Sequence, residues 1–112
     1  MKNTVSLKKN ELFLRAYKKG QKAHGRFFTI HYINNGLESN RLGIKTGKKL
    51  AGAVKRNRMK RLVKESYRLC ETELKTGFDI VVVCKEQALL IDSYFETSTA
   101  IKKLLKKADL FR

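Results

Sequence analysis

Lys55-Arg56-Asn57-Arg58-Met59-Lys60-Arg61 places five cations in seven residues, and the stretch from Ser39 to Lys64 holds ten basic residues and no acidic one. Like charges packed this densely repel one another unless a polyanion neutralises them. The first chemistry this chain points to is therefore the binding of nucleic acid. Two details favour shaped contacts over a diffuse cloud of charge. The arginine fork meets phosphate oxygens in pairs. Asn57 is a poor former of helix interiors whose side chain both donates and accepts hydrogen bonds. Within the stretch no Glu or Asp stands four residues from a cation to compensate it, unlike an ordinary solvated helix face.

Catalysis by the protein itself has little to work with. Hydrolysis of a phosphodiester needs carboxylates that hold a metal, or an acid and base pair. The ten acids are scattered along the chain, and neither His24 nor His31 sits in a recognisable catalytic arrangement. Cys70 and Cys84 match no metal-ligand spacing and read as small, reduced core residues, which favours the cytoplasm.

The elements that must position the cations follow from periodicity. At about 100° per residue, residues 50–74 read as a helix with Met59, Leu62, Val63, Ser66, Leu69 and Cys70 in one arc. Arg56, Asn57, Lys60, Arg61, Lys64 and Arg68 fall opposite. Residues 11–19 read as a shorter helix with Asn10 as N-cap and Gly20 as its C-terminal stop. On it Phe13 and Tyr17 share one face, and Leu12 and Ala16 another. Residues 26–33 alternate as a strand, with Phe28, Ile30 and Tyr32 on one side and Phe27, Thr29 and His31 on the other. Asn34-Asn35-Gly36 is a turn signal. Residues 41–47 form a second strand, with Gly43 and Lys45 facing away from Leu42, Ile44 and Thr46. Residues 78–84 are a continuous β-branched run, the mark of a buried central strand. Ser93 and Glu96 form a capping box for a last helix that buries Ile101, Leu104, Leu105 and Ala108. Phe28, Tyr32, Tyr67 and Phe95 read as core, and His24 as surface. The chain is α+β, with helices packed against one sheet.

The 112 residues suit a single domain over their whole length, and 42% apolar content supports a real core. A formal charge of +16 exceeds what solubility asks of a small domain and strains the compact state by self-repulsion. Added sulfate or phosphate is therefore expected to increase structure at low salt. Residues 1–9 lack the apolar segment of a signal peptide, and no stretch approaches the ~20 apolar residues that span a bilayer.

The run from Gly43 to Val63, with Arg56-Asn57-Arg58 and Lys60-Arg61 at its centre, resembles the signature of the bacterial ribonuclease P protein component. The similarity extends to Leu7-Lys8-Lys9-Asn10-Glu11 with Phe13 and Tyr17, to Phe78-Asp79-Ile80-Val81-Val82-Val83, and to Leu104-Leu105-Lys106-Lys107-Ala108. It covers nearly the whole chain.

The resemblance implies a fold like the second domain of ribosomal protein S5, in the order α-β-β-β-α-β-α on a four-stranded sheet. A short strand near residues 21–24 precedes the main hairpin, and the crossover into the central strand is left-handed, against the usual rule. It also implies two RNA partners. Lys48, Lys49, Arg56, Asn57, Arg58, Lys60, Arg61 and Lys64 match positions that dock on the catalytic RNA subunit. Phe13, Tyr17, Phe27, Thr29, His31 and Lys45 match the cleft that holds the single-stranded 5′ leader of precursor tRNA. Aromatics interleaved with cations suit such a strand. The RNA subunit would carry the endonuclease chemistry and hold the Mg2+, with none bound tightly by the protein alone and no protein oligomer required. Three positions depart from the family pattern. His31 stands where tyrosine is common, Gly47 stands for a serine, and Lys85-Glu86-Gln87 replaces a basic, proline-containing loop expected to be stiffer. The competing reading is a ribosomal or chaperone-like RNA-binding protein outside any enzyme.

Overall fold

The computed structural model describes residues 1–47, 52–91 and 93–112, and β5 (Phe78–Cys84) is its organising element. Ile80, Val81 and Val82 are buried on both faces of this strand, so only a slot between two other strands accommodates it. β3 (Phe28–Asn34) pairs with it antiparallel and β4 (Asn40–Thr46) pairs with it parallel. The strands on either side of the Asn34-Asn35-Gly36 turn therefore do not form the expected hairpin; the doubly apolar β5 is inserted between them. β2 (Gln21–His24) covers the far edge of β3, where the short strand was anticipated. The sheet gains a fifth strand that the four-stranded expectation lacked. β1 (Thr4–Ser6) lies parallel to β4, giving the order β1-β4-β5-β3-β2. Three residues with a polar alternation carry too little pattern to announce a strand.

Three helices cover the sheet: α1 (Asn10–Lys19) on one face, and α2 (Ala53–Cys70) with α3 (Tyr94–Lys107) on the other. The chain crosses the sheet twice between parallel strands, β1 to β2 through α1 and β4 to β5 through α2. Both crossovers move in the same direction along the strand order but pass over opposite faces. They must then have opposite hands, so one of them breaks the right-handed rule. The resemblance assigns that exception to the second.

Local signals explain most helix ends. Ser93 Oγ accepts the Glu96 N–H at 3.1 Å, completing the N-terminal half of the expected capping box. Asn10 does not cap α1. It is the first helical residue, and the Lys9 carbonyl takes the Leu12 N–H. Gly20 ends α1 in extended backbone, with φ −80°. α2 is shorter than its periodicity suggested and passes into a 3-10 turn at Glu71–Glu73.

Two apolar clusters sit back to back. The larger joins Phe28, Ile30, Ile80 and Val82 to Met59, Val63, Tyr67 and Cys70 of α2 and to Ile101, Leu104 and Leu105 of α3. The smaller joins Leu7, Phe13 and Ala16 to Val81. Leu69 was expected in the core arc but is 61% exposed, because the buried stripe of α2 centres on Met59, Val63, Ser66, Tyr67 and Cys70. Phe95 was also expected inside and is 77% exposed. Burial raises the Cys70 thiol and pushes Cys84 up to about 12, so both are inert core residues.

Buried polar groups fasten the N-terminus. Glu71 accepts from the Asn3 N–H (2.8 Å) and the Thr4 hydroxyl (3.0 Å), and Thr4 Oγ1 lies 3.0 Å from the Tyr67 hydroxyl. Asp79, fully buried, takes both arms of Arg41 at 2.7 and 3.0 Å and the Asn35 amide at 3.1 Å. These bonds fix β1 and the 35–39 connection, which together hold the β4 edge in place.

Candidate nucleic-acid interface

Helix α2 presents Asn57, Arg58, Lys60, Arg61 and Lys64 exposed, with Arg56 half-buried. Lys48 and Lys49 lie outside the described residues. The first turn of α2 has no acidic residue, although an anion there would complement the positive end of the helix dipole. Lys55 and Arg56 add cations at that end instead. A phosphate backbone relieves both the dipole and the repulsion. Arg68, expected on the same basic arc, is neutralised by Glu65 one turn earlier, its Nε donating at 3.1 Å. The exposed basic stripe of α2 thus ends at Lys64.

The opposite face of the sheet gathers the aromatic residues, as a floor and a rim. Phe13 and Thr29 form the floor, each only 7% exposed, which corrects the expectation that both stand open to solvent. Phe13 is buried because the Cε1–Cζ edge of its ring abuts the backbone of β4 at Gly43. A Cβ added at Gly43 would fall 2.5 Å from Phe13 Cζ, so only glycine admits the ring. Gly43→Ala is expected to lower stability by about 1–3 kcal/mol through overpacking. The check is a lower urea midpoint at unchanged m.

Lys45, Tyr17 and His31 make the rim. Lys45 Nζ sits 4.4 Å from the Phe13 ring centroid, a cation–π contact that leaves the ammonium exposed. Tyr17 and His31 meet edge-on, centroids 4.8 Å apart at 76°. Each is half-buried and leaves part of a ring for a base to stack on. Partial burial, then Lys22 and His24, hold the His31 imidazole below its ordinary 6.5. It is therefore neutral at pH 7.

Protonation of His31 on acidification adds a cation to the rim. Single-stranded RNA affinity should be flat above pH 7 and rise as the pH falls through a midpoint below 6.5. His31→Phe should abolish that rise in an anisotropy titration. The effect on stability has the opposite sign. The unfolded chain takes up this proton first, so the contribution of neutral His31 is complete above 6.5 and declines below it.

Phe27 does not join this face. The backbone turns at Gly25–Phe27 before β3 begins, so strand alternation does not reach it, and its ring packs on the larger cluster beside α3.

The two regions meet at the β4 edge. β1 pairs with β4 at Asn40, Arg41 and Leu42 and goes no further along it. Along this edge runs a groove of about 420 Å³ lined by Thr4, Val5 and Ser6 of β1, with Phe13 and Gly43 from the aromatic side and Lys60, Arg61 and Lys64 from α2. Aromatic floor and basic helix thus border one channel. Sequence periodicity could not reveal this, because the groove depends on where a three-residue strand stops.

Residues 1–109 match the family model for ribonuclease P. The ribonuclease P protein component of Alkaliphilus metalliredigens is 40% identical over 114 aligned positions that cover 98% of each chain. The chain belongs to the ribonuclease P protein family. Solved ribonuclease P proteins share its architecture. That of Staphylococcus aureus superposes with a TM-score of 0.88 at 32% identity, covering 96% of this chain and 97% of the other. That of Thermotoga maritima gives 0.83 at 28% identity, covering 91% and 96%. Membership of the ribonuclease P family supports a role in an endoribonuclease complex. No described helix is long and apolar enough to cross a membrane.

Sequence reasoning missed the groove-lining Thr4, Val5 and Ser6 of β1 in this ribonuclease P protein, and it misplaced Phe27, read as a cleft residue, and Phe95, read as core, which both lie beside α3. The pair left one signal, a phenylalanine at the outer side of the first turn of an amphipathic helix.

Proposed function

We propose that this chain is the cytoplasmic protein subunit of ribonuclease P, binding the catalytic RNA subunit and the 5′ leader of precursor tRNA together. The observation that carries the reading is the shared groove, with Phe13 from the aromatic side and Lys60, Arg61 and Lys64 from α2. In this reading Arg56, Asn57, Arg58, Lys60, Arg61 and Lys64 engage phosphates of the folded RNA subunit. Tyr17 and His31 stack leader bases, and Lys45 meets a leader phosphate above Phe13. Both RNAs are polyanions, and the cations between them lower their mutual repulsion.

Bond cleavage in this proposal belongs to the RNA subunit and its Mg2+. Among the described residues no three His, Cys, Asp or Glu side chains stand together as a ligand set. Asp79, on the aromatic side of the sheet, is buried and engaged by Arg41 and Asn35. No step of the proposal runs through a metal held by these side chains.

Reconstitution tests the reading. The chain is mixed with its cognate catalytic RNA and precursor tRNA at a Mg2+ concentration that limits the RNA alone. Faster cleavage at the mature 5′ end is expected. No enhancement would reject the assignment in favour of an RNA-binding protein outside the enzyme, and cleavage by the protein without RNA would reject the division of labour.

A further inference from the structure

A second aromatic groove lies on the α3 side of the sheet, remote from α1. It encloses about 500 Å³ between the turn after β2 and the length of α3 from Phe95 to Lys107. Phe27 and Phe95 line it with the fully buried Phe28 behind them, Ala100 and Leu104 are apolar lining, and Arg26, Lys103 and Lys107 are cations beside Glu96. Phe95 exposes 77% of its surface, a large apolar area to leave in water at a helix start.

The groove is built in advance. Lys85 Nζ donates to the Gly25 carbonyl at 2.6 Å, and Lys107 Nζ donates to the His24 carbonyl at 2.9 Å. Two lysines from separate elements thus clamp one turn. The turn lies directly on α3: a Cβ at Gly25 would come within 3.0 Å of Leu104. Arg26 sits 5.2 Å over the Phe27 ring.

We infer that this groove is a second binding site for unpaired RNA, with bases stacked on Phe95 and Phe27 and phosphates on Arg26, Lys103 and Lys107. Charge decides between occupants. A second copy of the chain would bring +16 against a cationic rim, whereas single-stranded RNA supplies the opposite charge and flat apolar bases together. The inference uses none of the groove residues that carry the proposed leader site, and the two fail separately.

The test is photo-crosslinking of the full chain to an octauridylate carrying 5-iodouridine, with mass spectrometry of the linked peptides and anisotropy for affinity. A crosslink at Phe95 or Phe27 is expected, and it should persist when Tyr17 and Lys45 are both alanine. Phe95→Ala with Lys103→Glu should remove it and weaken the remaining affinity of that double variant about five-fold or more, the lower end for a lost stack. Both substitutions are at exposed positions, and circular dichroism verifies the fold. Crosslinks confined to Tyr17 and His31 would overturn the inference and leave the leader site standing. Concentration-dependent self-association abolished by Phe95→Ala would also overturn it, by giving the groove to a second copy.

Discussion

Replacing Lys60, Arg61 and Lys64 together by alanine is expected to weaken assembly with the RNA subunit by on the order of 100-fold, at about 1 kcal/mol per lost phosphate contact. The three side chains are exposed and line the shared groove. Their removal subtracts charge without opening the core, since Met59, Val63 and Tyr67 hold the other side of α2. The more specific signature is salt dependence. Each cation that neutralises a phosphate releases counterions, so the slope of log affinity against log salt should become shallower by roughly 3. Filter binding across a salt series measures both. Unchanged slope with reduced affinity would mean that the side chains act by shape and not by charge.

Phe13→Ala should have the largest effect on the protein itself, about 3–5 kcal/mol of stability, the usual range for emptying a buried aromatic site. The ring is 7% exposed, touches the Gly43 backbone and carries Lys45 on its outer face. Truncation removes packing in the smaller cluster and frees the Lys45 ammonium from its position. Against a typical domain stability of about 5–15 kcal/mol, that loss brings the chain near unfolding at low salt. Urea denaturation in sulfate, which offsets the self-repulsion of the +16 chain, gives the stability change. Leader binding should fall as well, but through the collapsed floor. Tyr17→Ala is the cleaner probe of stacking, because that ring is only half-buried. It should reduce leader affinity while leaving the free energy of unfolding in urea within about 1 kcal/mol of the parent.

Much of the frame was legible in the sequence because its signals are local and redundant. The unbroken β-branched run announced β5 as the central strand, and Ser93 with Glu96 announced the start of α3. The basic stripe of α2 is visible because cations recur at helical spacing where acids are missing. What stayed hidden depends on contacts between distant segments. β5 separates β3 from β4, which a turn signal at Asn34-Asn35-Gly36 cannot foresee. Phe13 looked like an open stacking residue and is a floor, because Gly43, thirty positions later, has no side chain to keep it off the sheet. Phe27 left the aromatic face because the backbone turns one residue before the strand begins. Phe95 has the residue type of a core position but sits where the start of α3 meets solvent.

The claim that one chain binds two RNAs at once is tested most directly by substrate discrimination. The dissociation constants of precursor tRNA with a leader and of mature tRNA without one are measured on the RNA subunit, with and without the protein. Adding the protein should tighten the leader-bearing substrate by about 10-fold or more relative to mature tRNA, the contribution of one or two base stacks and a phosphate contact. Alanine at Tyr17 and Lys45 should remove that preference while the RNA subunit stays bound. Equal tightening of both substrates by the unaltered protein would contradict leader binding on this face and reduce the protein to a counter-charge for the RNA subunit.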